Sequence, residues 1–312
     1  MTVPFEVADE VADAVRLGRP VVALETTLIA HGLPGRQGLR AGAAAEERVR
    51  AAGATPATVG VIDGAVRVGL GPAELERFAA AGASARKVGS RDLAACAVQG
   101  TLGATTVGGT LAVCRRAGIR FMGTGGIGGV HRGFAQSLDI SGDLLQIART
   151  PAVVVSSGVK SILDAAATAE LLESLGVPVL GWRTATMPLF YQGGGGPPVS
   201  AQVSGASEAA RIAAGHWLMN GAAGLLLARP PAEDLAIEPI IAEAVARVRA
   251  QGVSGQAVTP AVLTLVHELS DGRSVEVNTK LIADNAGLAA DVAVAYTAVV
   301  TDSDGSQEAG SA

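Results

Sequence analysis

AVVVSSGVKSILDAAATAELLESLGVPVL, residues Ala152–Leu180, reads as a strand, a turn, a helix and a second strand. Ala152–Ser156 is a short β-branched run of the kind that is buried in a sheet, and Val177–Leu180 is another. Between them, Lys160–Leu175 is rich in Ala, Leu and Glu and long enough for a helix. The alternation continues in both directions. Strands are expected at Val21–Glu25, Thr58–Ile62, Ile119–Met122 and Leu225–Ala228, and helices at Gly38–Ala52, Ser207–Met219 and Leu235–Ala250. Strands alternating with longer helical patterns predict an α/β protein whose helices cover a largely parallel sheet. Ser274–Ala298 reads as a long helix lying across the body, since Val277, Leu281, Ala289, Val292 and Ala295 recur near helical spacing.

The chain has 312 residues, of which 49% are hydrophobic and 17% charged, a composition that buries a sizeable core. One catalytic domain is expected over 1–301, followed by a disordered tail over 302–312 that lacks apolar content. Gln192–Pro198 (QGGGGPP) is the best candidate for a flexible break, either a linker or an active-site loop that closes as a lid. With a net charge of -5 and no basic run interleaved with aromatics, a nucleic acid polymer is not an expected partner. An acidic N-terminus and the absence of an apolar run of membrane-spanning length predict a cytoplasmic protein with no membrane partner. Cys96 and Cys114 have neither metal nor redox spacing and are read as packing residues.

Chemistry is concentrated at strand ends, which face the ligand crevice in α/β folds. Lys160 lies just past a buried strand, where a desolvated amine can attack a sugar carbon; the alternative is a solvated lysine at a helix start. Glu25 ends VVALE and is followed by the hydroxyls and His31 of TTLIAHG; it can exchange protons with a substrate oxygen, cap a helix or pair with an arginine. GTGGIG, Gly123–Gly128, matches the dinucleotide fingerprint after a strand, with Asp143 twenty positions on. The segment that follows supplies neither the continuous helix nor the second strand that this reading needs. It supplies instead a polar loop with His131, Arg132, Asp139 and Asp143, suited to a hard divalent ion or to solvent. KVGSRD and GATTVGG place Lys87 and a helix start where a phosphate could bind, although capping by Ser90 or Thr105 accounts for the same residues.

VALETTLIAHGLP, GATPATVGVIDG, KVGSRDLA, GTGGIGGVHRG, SGVKSILD, GVPVLGW and DNAGLAADVAVA follow one another in an order that resembles the pseudouridine-5'-phosphate glycosidases, the indigoidine synthase A-like family. The resemblance spans roughly residues 8–298. It implies a three-layer α/β/α fold with a mixed, largely parallel sheet, a homotrimer, and a small-molecule ribose 5-phosphate C-glycoside as substrate. By that likeness Glu25 is the proton donor, Lys160 the covalent nucleophile and Asp139 the ligand of a manganese or similar ion. Lys87, the backbone at Val107, and Ser141, Gly142 and Asp143 bind substrate, with His131 close by. The implied reaction is reversible cleavage to uracil and ribose 5-phosphate. The alternative is C-glycosynthesis that joins the sugar phosphate to an aromatic acceptor. Ala185 and Thr186 stand where the family commonly has an acidic pair, and TTVGGT replaces TTVAAT; these departures bear on the base accepted.

Overall fold

The computed structural model describes residues 3–221, 223–253 and 257–309, with side chains as far as residue 301. Thirteen strands are described. They are β1 (Phe5–Val7), β2 (Val21–Glu25), β3 (Thr55–Ile62), β4 (Ala65–Val68), β5 (Arg86–Val88), β6 (Gly103–Thr105), β7 (Phe121–Gly123), β8 (Val130–His131), β9 (Val153–Ser156), β10 (Leu163–Asp164), β11 (Val179–Trp182), β12 (Ala201–Val203) and β13 (Leu225–Ala228).

The main sheet runs β1-β4-β3-β2-β7-β9-β13-β11-β12, and β6 joins β3 to β5 at its margin. All ladders are parallel except β3 with β4 and β3 with β6. The sheet is therefore the mixed, largely parallel one expected, flanked by helices. β8 and β10 form a separate antiparallel ribbon. Full burial of β2, β7, β9 and β13 explains why they read as unbroken apolar runs. The short marginal strands β1, β4, β5, β6 and β12 were not legible in the sequence because three or four residues carry no usable periodicity.

Several boundaries shift. The helix expected from Leu235 begins at Glu238, with Pro239 in its first turn, where a missing N–H costs nothing. The last helix runs Arg273–Ala309 and packs on the helix Gln37–Ala51 and on β2, β7 and β9. Leu281, Ala289 and Val292 are buried on it. The tail expected from 302 lies in its last turns and, from 310, outside the described residues. Gln192–Pro198 sits in the crossover between β11 and β12, tied by Gly193 N–H to Asp234 Oδ1 (2.7 Å) and by Met187 N–H to Pro197 O (2.8 Å). Cys96 and Cys114 are buried, and burial pushes the Cys114 thiol up to about 12. Among the described residues no helix is long and apolar enough to cross a membrane.

The GTGGIG run leads into β8 rather than a helix, which removes the dinucleotide reading. Its glycines serve close packing instead. A Cβ on Gly123 would lie 2.6 Å from the Cα of Ala286 on the last helix, and one on Gly126 would lie 2.5 Å from the Phe190 ring. Gly123→Val should therefore cost about 1–3 kcal/mol or more, because backbone on both sides leaves no room to yield. Urea denaturation followed by circular dichroism measures it, and an unchanged midpoint would remove the contact as a constraint.

Candidate active site

Parallel neighbours end side by side, so the order β2-β7-β9 sets Glu25, Thr124 and the loop carrying Lys160 in a row at the carboxyl edge of the sheet. A cavity of about 480 Å³ opens there. Glu25, Lys87, Val107, His131, Asp139, Ser141, Gly142, Asp143 and Lys160 all line it. The structure thus gathers into one space all the site residues that the family resemblance implies. Arg132 does not belong there; it turns away to the far side of the Lys160 loop.

Glu25 is only 3% exposed. Its carboxylate neither caps a helix nor meets an arginine. Thr124 Oγ1 donates to Oε1 at 2.5 Å, and the Thr27 hydroxyl donates to Oε2. Burial lifts the carboxyl above the ordinary carboxylate range; the positive charge of Lys160 and the two hydroxyls oppose the rise, and the charge of Asp143 adds to it. Behind it lies a buried threonine network. Thr26 and Thr105 hydroxyls both donate to Val59 O (2.8 Å each), and Thr105 N–H donates to Thr26 Oγ1 (2.8 Å). Thr105 is occupied in this way, so the helix Val107–Ala117 is capped by Thr106, whose hydroxyl accepts from Gly109 N–H. Ser90 begins a short 3₁₀ turn, Ser90–Asp92.

Lys160 is not at a helix start. The helix begins at Ala165, capped by Asp164, and Lys160 stands in the loop between β9 and β10. Its Nζ donates to Gly126 O at 2.6 Å. Gly158, at φ +75°, shapes this loop; a Cβ there would lie 1.9 Å from Pro188 O. Lys87 projects from β5. Burial lowers its amine below the usual lysine value and the Lys160 charge adds to this, while Asp143, Glu25 and Asp139 oppose it. Two lysines and two half-buried imidazoles therefore share one cavity. Burial holds His31 and His131 below the ordinary imidazole value, reinforced in both by Lys87 and, at His131, opposed by Asp139.

Asp143, 5% exposed, ties two glycine backbones together: Oδ1 accepts from Gly108 N–H at 2.7 Å and Oδ2 from Gly128 N–H at 2.9 Å. Its carboxylate is spent on shaping the wall. Ser141 Oγ accepts from Asp143 N–H, and Gly142 has open space where a Cβ would be. Asn285 on the last helix donates to Thr124 O (2.8 Å) and to Ser157 Oγ (3.1 Å), linking both central loops. Asp139 Oδ2 lies 3.8 Å from His131 Nδ1. Among the described residues no group of three or more His, Cys, Asp or Glu side chains could hold a metal. A single carboxylate, an adjacent imidazole and cavity water still make a donor set that suits a hard divalent ion.

Arg149, Gln146, Thr259 and Leu263 also line the cavity, and sequence reasoning missed them. Thr259 and Leu263 are one helical turn apart on an ordinary amphipathic helix, which carries no signal of a site. Ala185 and Thr186 are not among the lining residues.

A carboxyl group and two lysines gathered at the carboxyl edge of a mixed α/β/α sheet define an α/β protein with a polar cavity sized for a small molecule. The chain belongs to the indigoidine synthase A-like protein family, whose family model matches residues 10–295. It is 48% identical to the pseudouridine-5'-phosphate glycosidase of Salinispora tropica over 93% of this chain and 91% of that protein. The Chloroflexus aurantiacus protein of the same name is 46% identical over 93% of this chain and 98% of its own. Among solved structures, the prealnumycin C-glycosynthase AlnA in complex with ribulose 5-phosphate superposes with a TM-score of 0.87 at 40% identity, covering 97% of this chain and all of that one. An indigoidine synthase A-like protein from Thermotoga maritima gives 0.85 at 35% identity, over 95% and 97% of the two chains.

Because folding raises the Glu25 carboxyl above its unfolded value, its contribution to stability is present below the ordinary carboxylate range and is lost as pH rises through the raised value. Glu25→Gln should be more stable than the wild type at pH 8, with the difference closing on acidification to about pH 4. Thermal melts across that range provide the measurement; a difference independent of pH would mean that burial does not dominate the site.

Proposed function

We propose that this protein reversibly cleaves the carbon–carbon glycosidic bond of pseudouridine 5'-phosphate to uracil and ribose 5-phosphate. The observation that carries this reading is the enclosure of Glu25 and Lys160 in one cavity, within electrostatic reach of each other. The names of the relatives from Salinispora tropica and Chloroflexus aurantiacus support it.

In a C-glycoside the aglycone is joined to the anomeric carbon through carbon and not through a heteroatom, so direct hydrolysis is hard. Glu25, whose carboxyl burial lifts above the ordinary carboxylate range, gives its proton to the ring oxygen as the bond from that oxygen to the anomeric carbon breaks. The Lys160 amine bonds to the same carbon and loses a proton. The nitrogen lone pair then forms a C=N bond while the carbon–carbon bond breaks. Its electron pair goes to the base, which takes up a proton and leaves as uracil. Water adds to the imine and frees the sugar phosphate and the amine. Lys87, the backbone at Val107 and the Ser141–Asp143 turn hold the substrate, chiefly through its phosphate, with His131 beside them. Asp139, with water and His131 nearby, would hold a manganese ion, which supplies positive charge for binding the substrate when present. A homotrimer is the proposed assembly.

A second reading is favoured by the likeness to AlnA: the same lysine joins ribose 5-phosphate to an aromatic acceptor. Incubation with manganese and pseudouridine 5'-phosphate should release uracil, measured by chromatography. Lys160→Ala should abolish release, and Glu25→Gln should slow it about 100-fold or more. Chelation should lower the rate and manganese restore it, with Asp139→Ala failing to recover. Absence of uracil from folded wild type that condenses ribose 5-phosphate with an aromatic acceptor would transfer the assignment to synthesis.

A further inference from the structure

The loop that presents Lys160 has a second cavity behind it. About 350 Å³ in volume, it shares Lys160 and Leu163 with the first and is otherwise lined by different residues, among them Arg132, Tyr191 and Glu238. Arg132 directly follows the site residue His131 but points to this opposite side. Its guanidinium makes three contacts there. Nη2 donates to Ser161 O at 2.7 Å, Nε to Leu163 O at 3.3 Å, and Nη1 to Glu238 Oε1 at 2.8 Å. The two carbonyls flank the backbone turn that starts at Lys160, whose own carbonyl accepts from Leu163 N–H at 3.0 Å. On the front of the loop Lys160 N–H donates to Ile127 O at 3.1 Å.

We propose that Arg132 is a positioning residue for Lys160, a clasp that fixes the nucleophile's loop from behind by binding the carbonyls of Ser161 and Leu163 while Glu238 holds the guanidinium in place. The inference rests on the assignment of Lys160 as the nucleophile. Only a guanidinium can serve two carbonyls and a carboxylate in one plane; an ammonium on a lysine stem is a single point of charge. Arg132 does not line the sugar phosphate cavity, so its loss leaves substrate binding in place and misplaces the amine. Displacing a reacting atom by about 1 Å is enough to cost roughly 100-fold in rate.

The experiment compares wild type, Arg132→Ala and Arg132→Lys in three measurements: affinity for ribose 5-phosphate by calorimetry, rate of borohydride trapping of that sugar on Lys160, and rate of Lys160 acetylation by acetic anhydride, read by peptide mapping. Both variants should bind the sugar within about twofold of the wild type and trap it about 10- to 100-fold more slowly. Millimolar guanidinium, admitted through the second cavity, should restore part of the rate to Arg132→Ala and none to Arg132→Lys. A role confined to stability predicts the reverse, since guanidinium weakens folds. The clasp is overturned if trapping and acetylation are the same in all three proteins, or if affinity falls in step with rate and guanidinium restores nothing. A wild type that shows no adduct counts against the imine mechanism, and the acetylation rates then decide on the clasp by themselves.

Discussion

A carboxyl group removed from water must be neutral, paired or hydrogen-bonded, and Glu25 is where this constraint is felt most in the molecule. It sits at the last position of a fully buried parallel strand, with no arginine beside it. Two threonine hydroxyls and a lysine across the cavity are its compensation. These depend in turn on the loops after β7 and β9, which the last helix holds through Asn285, and on the threonine network that locks the end of β2 to β3 and β6. The carboxyl edge of the sheet is organised around one acid whose burial favours its protonated form.

Much of this was legible in the chain. β2 and β13 match their expected bounds because fully buried parallel strands are unbroken apolar runs, and Glu25 stood out as a carboxylate closing one of them. The resemblance to known glycosidases located the remaining candidates, and the fold brings all of them to one cavity. What stayed hidden depends on three-dimensional meeting. Asp143 was legible as an acid in a polar turn, but not that its two oxygens join Gly108 and Gly128, residues 35 and 15 positions away. Lys160 looked like a helix start, because nothing local reveals that Asp164 caps the helix a turn later. Thr259 and Leu263 belong to a helix whose pattern is that of any surface helix.

Glycine explains the misleading dinucleotide fingerprint. Between Gly123 and Gly129 the backbone passes against the last helix, the Phe190 ring, the Ser141 and Asp143 side chains and Thr168, each closer than a Cβ permits. A phosphate-binding loop and a loop that other chain segments must approach closely share the same residue requirement, and only the element that follows separates them.

Asn285 lies in the last helix, downstream of every strand of the sheet. On the ribosome the sheet is therefore synthesised in full before the residue that links the Thr124 and Lys160 loops emerges. Until that helix follows, the loop that carries Thr124, the partner of Glu25, is not tied to the loop that carries Lys160. The geometry of the two loops is thus completed by a segment that lies outside the sheet they end.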